Sequence, residues 1–416
     1  MTKLFDIERI RKAKEIVRDV ALKTPLQFNE RLSEQFTANV YFKREDLQPI
    51  RSFKLRGAYL KIFTLTQEER KRGIVCASAG NHAQGVALAC NKLSIKGTIF
   101  MPVPTPKQKL NQVRMFGGSS IETRLVGDTF DDAFAAAQAY KDESESIFIH
   151  PFEDQDVVIG QGTLALELLE QAEEPIDYIL VPIGGGGLIS GVLHVFKNLS
   201  PQTKVIGIEP EGAPAMHQSL MKKKNTALVH IDPFVDGAAV RKVGDGAYDL
   251  CASYLDQLVL VSEGKICQSI LKLYNREAIV VEPAGAMSTA SLQMIANEIK
   301  GKHVVCLICG GNNDITRMAE IKERAKLEAK LLHYFIVRFP QRAGALKEFV
   351  AEVLGPKDDI TFFEYSKKNN RSNGPAVVGI ELKSPDDFDP LVLRMKSKGF
   401  YGDYINNKPD LFQFLI

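Results

Sequence analysis

A chain of 416 residues exceeds what one hydrophobic core usually serves, so two or more domains are expected. Its 45% apolar and 25% charged content is that of an ordinary soluble globular protein. A net charge of +2, with acids and bases interleaved, excludes a nucleic-acid or membrane-surface footprint.

Residues 1–20 place Ile7, Ile10, Ala13, Val17 and Val20 at helical spacing among charges. This predicts an amphipathic helix rather than a signal peptide, and no later run reaches the about 18 apolar residues that a membrane span needs. A cytoplasmic location is expected. From about residue 40 to 310, short apolar runs (40–42, 74–77, 97–101, 178–183, 204–208, 257–261, 303–308) alternate with helical patterns such as 54–65, 83–92, 107–116 and 161–170. The alternation predicts an α/β domain of mainly parallel sheet, whose ligands bind beyond the carboxyl ends of strands.

Three stretches at such junctions could carry chemistry. In Arg51-Ser-Phe-Lys-Leu-Arg-Gly57, Ser52 could cap a helix whose first turn holds Lys54 between Phe53 and Leu55. Apolar neighbours would desolvate that amine and make it a usable base and nucleophile, although most lysines are exposed and spacing alone favours a surface role. Ser78-Ala-Gly-Asn-His-Ala-Gln-Gly85 follows a strand-like run and opens a helix, where backbone N–H groups could hold a carboxylate or simply form a turn. Asp177-Tyr-Ile-Leu-Val-Pro-Ile-Gly-Gly-Gly-Gly-Leu188 is an apolar run ending in four glycines before a helical segment, 188–196. With no Lys or Arg in the loop, its bare N–H groups would have to neutralise an anion, which suits a phosphate on an organic cofactor. The G-x-G-x-x-G dinucleotide spacing is absent.

The six cysteines lie in apolar segments, as reduced core thiols do. Cys306 and Cys309 form a C-x-x-C, but a strand would put them on opposite faces and no second Cys or His pair accompanies them, so neither a zinc nor a dithiol site is expected. The seven histidines have no metal-ligand spacing. After a charged helical segment at 315–332, the tail reads as strand 333–338, helix 344–354, strands 360–365 and 376–382, a second helix, and a closing strand at 400–405. That is the βαββαβ ferredoxin-like order. The second helix could begin at Ser384-Pro385 or Asp389-Pro390; the latter is preferred because Pro390 would sit badly inside a helix begun at 384. Residues 367–375 read as an exposed hairpin tip.

Taken together, the lysine, S-A-G-N-H-A-Q-G and G-G-G-G-L stretches resemble the fold-type II pyridoxal-phosphate enzymes, tryptophan synthase β-like in their catalytic domain. Within them the chain is similar to the threonine dehydratase branch. Val235-Asp-Gly-Ala-Ala-Val-Arg-Lys-Val-Gly-Asp245, Val281-Glu-Pro-Ala-Gly-Ala286 and Cys309-Gly-Gly-Asn-Asn313 match as well. The tail resembles an ACT-like regulatory module (Phe339-Pro-Gln-Arg-Ala-Gly-Ala-Leu346), so the likeness covers nearly the whole chain.

The resemblance implies a catalytic domain over residues 1–330, with a small subdomain inserted at roughly 45–150, and an ACT-like domain over 331–416. Lys54 would bond to the cofactor aldehyde and later act as general base. Gly184, Gly185, Gly186, Gly187 and Leu188 would cradle the phosphate, and Asn81 would hydrogen-bond the ring 3-oxygen. Ser78, Gly80, Asn81 and His82 would grip the substrate carboxylate. Cys309 would face the pyridine nitrogen as a neutral, weak partner, which favours β-elimination over transamination. The expected reaction is deamination of L-threonine to 2-oxobutanoate for isoleucine biosynthesis; a serine dehydratase, a β-replacement enzyme and a non-catalytic sensor are the alternatives. Ala79 stands where racemase relatives carry a serine base, and Ala215 replaces the second carboxylate of their metal site beside Glu209, so neither racemisation nor tight metal binding is expected. Ala343 replaces a proline common in the regulatory loop. Isoleucine or valine is the expected effector, at loop 341–346, and a dimer or tetramer the expected assembly.

Overall fold

The computed structural model describes residues 3–365, 373–408 and 411–412. The chain divides into two units, Met1–Arg317 and Met318–Ile416.

The first unit holds two sheets. The larger runs in the order Leu26–Phe28, Asn39–Arg44, His303–Ile308, Tyr178–Pro182, Lys204–Pro210, Gln257–Val261. All its pairings are parallel except that of the edge strand Leu26–Phe28 with Asn39–Arg44. Its central ladder aligns Val40 with Val304, Val304 with Tyr178, and Tyr178 with Lys204. The smaller sheet, Ile121–Leu125, Gly97–Met101, Ile74–Ala77, Ile147–Phe148, is parallel throughout. Every residue of Ile74–Ala77, Gly97–Met101 and Tyr178–Pro182 is buried, as parallel strands covered on both faces must be.

Three helices set the geometry beside the sheets: Lys54–Thr64, Gln155–Gln171 and Gly187–Leu199. The middle one touches both others backbone to backbone. A Cβ at Gly160 would lie 2.6 Å from Gly57 Cα, and one at Gly191 would lie 2.5 Å from Gly162 N. At these crossings any side chain would force the helices apart.

A buried charge network ties the same helices to the strand Asn39–Arg44. Arg56 forks onto Glu45 (2.8 and 2.9 Å) and onto Glu167 (2.7 and 2.9 Å). Lys43 Nζ donates to Glu167, Thr24 O and Gln171 at 2.8–2.9 Å. Two cations meet two carboxylates and the spare acceptors are filled, the condition under which buried charge is tolerated. Burial alone would push the Glu45 carboxyl up; the Arg56 guanidinium overrides it and holds the group below its ordinary value.

The second unit is a four-stranded antiparallel sheet in the order Asp359–Tyr365, Asn373–Glu381, Leu332–Pro340, Tyr401–Tyr404. With helices Ala345–Glu352 and Phe388–Ser397 it has the expected βαββαβ order. Its core gathers Phe335, Val337, Phe339, Phe349, Val378, Leu391, Met395 and Phe400, contributed by the sheet and both helices.

Two sequence expectations need correction. Neither proline pair starts the last helix: Ser384-Pro385 opens a short 3-10 turn closed by a Ser384/Asp387 capping box, and the helix begins at Phe388. Pro390 then falls in the first turn, where its missing N–H has no intrahelical partner to lose. The strand Ile121–Leu125 and the helices Phe130–Ser144, Glu263–Glu277 and Pro283–Ser291 were not among the expected elements. The expected hairpin tip at 367–375 lies, up to residue 372, outside the described residues.

Removing Arg56 while keeping its bulk (Arg56→Met) leaves two buried carboxylates, Glu45 and Glu167, with Lys43 as their single remaining counter-charge. Urea denaturation should report a loss of about 3–5 kcal/mol, the cost of breaking a buried pair from one side.

Candidate active site

Strand ends and helix starts meet beyond the carboxyl edge of the larger sheet. The chain leaves the buried strand His303–Ile308 at Cys309 and is stitched to the segment before Lys54. Phe53 N–H donates to Cys309 O (3.2 Å), Gly311 N–H donates to Arg51 O (2.8 Å), and Ser52 bridges Gly310. Arg51 adopts φ +58°, a conformation an L-residue holds only when its surroundings enforce it. Ser52 does not cap the helix as expected: the cap position is Phe53, and Ser52 Oγ is buried without a hydrogen-bond partner. The bridge to Gly310 turns Ser52 away from the helix axis and sets the position of Lys54 instead.

Lys54 is partly accessible from the cleft, and its amine donates to Pro151 O at 3.0 Å. Burial of that amine lowers its pKa to about 8, against a partial opposing pull from the negative charge near Cys309 and Glu282. The expected desolvated lysine is therefore present, although its acceptor is a backbone carbonyl that no side-chain pattern announces.

Of the helices that begin at the cleft without side-chain caps, two start from a glycine. The helix Asn81–Leu93 starts after Gly80, and Gly187–Leu199 starts after Gly186. Gly186 has φ +96°, and a Cβ there would meet Ala247 Cβ at 2.4 Å, so the turn admits only glycine. Phe152 closes over the loop, since a Cβ on Gly185 would lie 2.1 Å from its ring. Ser78, Ala79, Gly80, Asn81, Gly184 and Gly185 remain partly accessible, while Leu188 is buried in the helix start. Both starts expose the positive end of a helix dipole.

Around them lie groups held neutral by burial. His82 is driven down to about 3, and its Nε2 meets Ile149 O at 2.9 Å. The Cys309 thiol is pushed well above its ordinary value, first by burial and then by Glu282. Asn81 is held by two side chains: its Nδ2 donates to Glu282 Oε1 (2.7 Å), and its Oδ1 accepts from Asn312 Nδ2 (2.7 Å). Burial raises the Glu282 carboxyl to about 7. Glu282 and Asn312 were noticed only as parts of matching motifs; the signal that could have singled them out is a polar residue at the mouth of an otherwise apolar strand–helix junction.

The pyridoxal-phosphate-dependent enzyme family matches residues 17–310, and the C-terminal regulatory domain of threonine dehydratase matches residues 323–415. A relative called biosynthetic L-threonine dehydratase from Halalkalibacterium halodurans is 55% identical over 412 residues, covering 99% of both chains. The corresponding Bacillus subtilis protein is 54% identical over 413 residues, 99% of this chain and 98% of its own. The chain belongs to the biosynthetic threonine dehydratases. Among solved structures, the processed form of threonine deaminase isoform 2 from Solanum lycopersicum aligns with TM-score 0.73 at 37% identity, over 79% of this chain and 91% of that one.

Pyridoxal phosphate is the cofactor of this family, and the cleft suits it. A desolvated amine, a glycine cradle that a Cβ would fill, and an uncapped helix start are what an aldehyde bearing a phosphate requires. Elsewhere, Glu209 uses both carboxylate oxygens to accept the N–H groups of Met216 and His217 (2.7 and 2.8 Å).

The shifted amine gives a direct test on the cofactor-free protein. An amine-directed label, located by mass spectrometry, should reach Lys54 with a midpoint near pH 8 rather than at the ordinary 10.5, because the amine is protonated and inert below its pKa. Labelling that begins only above pH 10 would show the amine to be fully solvated.

Proposed function

We propose that this chain deaminates L-threonine to 2-oxobutanoate and ammonia, the entry step to isoleucine, in a cleft where Lys54 carries pyridoxal phosphate. The observation that supports it most is the conjunction of the desolvated Lys54 amine with two uncapped helix starts, one suited to a phosphate and one to a carboxylate. When bound, the cofactor supplies an electron sink for the electrons of the substrate's Cα–H bond.

The chain's own residues do the rest. Gly184 to Leu188 bind the phosphate through backbone N–H groups at the start of the helix Gly187–Leu199. Asn81 donates to the ring 3-oxygen, and Cys309 meets the pyridine nitrogen with a neutral thiol that does not hold it protonated. The backbone from Ser78 through Gly80 and Asn81 to His82 holds the substrate carboxylate. Lys54, with a pKa near 8, is poised to take the Cα proton near neutral pH. Ala79 offers no base on the opposite substrate face, so loss of the β-hydroxyl is favoured over racemisation.

Regulation belongs to the second unit, with isoleucine or valine as effector. Residues 341–344 join the strand Leu332–Pro340 to the helix Ala345–Glu352, whose first turn holds the last two residues of the expected effector loop, and Gln341 Nε2 is buried there without a hydrogen-bond partner among the described residues. That donor is suited to an effector carboxylate. We further place the enzyme in the cytoplasm as a dimer or tetramer. All six cysteines are free and buried, as in a reducing compartment, and no described helix is long and apolar enough to cross a membrane.

Purified protein given threonine or serine should release 2-oxobutanoate in preference to pyruvate; the substrates differ by one methyl, worth about 1–3 kcal/mol in a fitted pocket. Preferential pyruvate release would make it a serine dehydratase. Lys54→Ala should lose nearly all turnover and the visible absorbance of bound cofactor, and survival of both would refute the assignment. Isoleucine should lower threonine turnover in the intact chain, with the inhibition relieved by Gln341→Ala.

A further inference from the structure

Glu282 is a buried acid for which the reaction as described has no use. Its residue is 5% exposed, and its carboxyl lies where a side chain at position 310 would be, with Oε1 only 2.2 Å from a Cβ built on Gly310. It occupies the cap position of the helix Pro283–Ser291 without capping it. Among the described residues it forms no ion pair. Its one side-chain partner is Asn81, through Asn81 Nδ2 at 2.7 Å.

That contact closes a chain whose direction is fixed at its Ile50 end. Asn312 Nδ2 donates to the carbonyl of Ile50 (2.8 Å), which can only accept, so Asn312 must present nitrogen on this side. The same amide nitrogen donates to Asn81 Oδ1 (2.7 Å). Asn81 must then turn its own nitrogen toward Glu282, and an amide nitrogen carries two protons. One goes to Glu282. The other is left for the cleft, so Asn81 can offer a guest a donor and not an acceptor.

We propose that Glu282 is a positioning residue for the cofactor: by accepting from Asn81 it locks that amide as a hydrogen-bond donor to the ring 3-oxygen, and thereby keeps the proton of the lysine–cofactor linkage on the Lys54 nitrogen. This rests on the reading in which Lys54 carries the cofactor and Asn81 meets its 3-oxygen. A donor on the 3-oxygen stabilises its anionic form, which leaves the shared proton on nitrogen. Without Glu282 only the Asn312 contact holds the Asn81 amide, one of its two fixing hydrogen bonds is gone, and as the amide turns the proton passes to the oxygen. The nitrogen-protonated linkage absorbs at longer wavelength and is the form an incoming amine attacks readily.

Absorption spectra of the reconstituted holoenzyme test this. Glu282→Leu should convert most of the long-wavelength band to the shorter-wavelength form and lower kcat for threonine. Glu282→Gln, whose amide oxygen can still accept from Asn81, should keep the wild-type band. Asn81→Ala should shift the band as the Leu variant does, and the double variant should shift no further, because both act at one hydrogen bond. A wild-type spectrum in Glu282→Leu, the short-wavelength form in Glu282→Gln, or full additivity in the double variant would overturn the proposal. If the Leu variant loses its fold by circular dichroism, the Gln and Asn81→Ala spectra still decide. Borohydride trapping followed by mass spectrometry of the wild type separates the two levels: a label absent from Lys54 sinks the cofactor reading itself, whereas a label on Lys54 with an unmoved Glu282→Leu spectrum sinks only the role of Glu282.

Discussion

The span between the Lys54 amine and the glycine loop depends on one helix, Gln155–Gln171, and on the glycines that let it approach both neighbours. Gly160 and Gly162 are two residues apart, so they point about 200° apart around the helix axis. One meets Gly57, three residues after Lys54; the other meets Gly191, four residues after Gly187. A reactive amine and a phosphate cradle from separate parts of the chain are thus referred to a single rigid rod. The Arg56–Glu45–Glu167–Lys43 network acts on the same rod. Apolar packing could supply equal stability, but a fully hydrogen-bonded charge cluster accepts only one register between the helix carrying Arg56 and the helix carrying Glu167.

With the frame held, the cleft can manage charge without permanent cations at the anion sites. Helices starting after Asn29, Thr66, Thr129 and Ser262 carry side-chain caps. Those starting at Asn81 and Gly187 do not, which leaves their leading N–H groups free for a guest. A neutral donor set binds a phosphate while leaving the nearby lysine without an added repulsive charge. Burial then does most of the tuning, bringing the amine to about 8 and, with help from the Lys54 charge, the His82 ring to about 3. The same low-polarity surroundings that lower the Lys54 amine keep Cys309 a thiol, so one physical cause acts on both groups.

Much of this was legible from residue order, and the illegible parts share a cause. Buried parallel strands are read easily because both faces demand apolar residues: runs 74–77, 97–101 and 303–308 coincide with strands end to end, as does the half-buried edge run 257–261. The strand Ile121–Leu125 escaped because it lies at a sheet edge, where Glu122 and Arg124 face solvent and break the apolar run. The helix Phe130–Ser144 buries only Ala133 and Ala137, too few for a visible stripe, though its Thr129/Asp132 capping box could have marked its start. At the site, glycine loops and a lysine in an apolar setting are local signals. The Pro151 carbonyl, the Glu282–Asn81–Asn312 chain and the Gly57–Gly160 crossing join residues from about 100 to more than 200 positions apart, and only the fold brings them together.

Two buried carboxyls illustrate why chemistry cannot be read from residue type alone. Burial raises both Glu209 and Glu282 to about 7. Glu209, however, accepts two backbone N–H groups and so ties the end of the strand Lys204–Pro210 to the helix Ala215–Met221. Its oxygens are spent on the fold, which gives the residue a structural use. Glu282 also draws on the backbone of Asn312, but its side-chain partner is Asn81, and that one faces the cleft. An acid that satisfies backbone resists substitution because a helix end would be orphaned; an acid that satisfies an amide at a binding site resists it because the amide would lose its orientation. The first loss is read in stability, the second in the electronic state of whatever the amide touches.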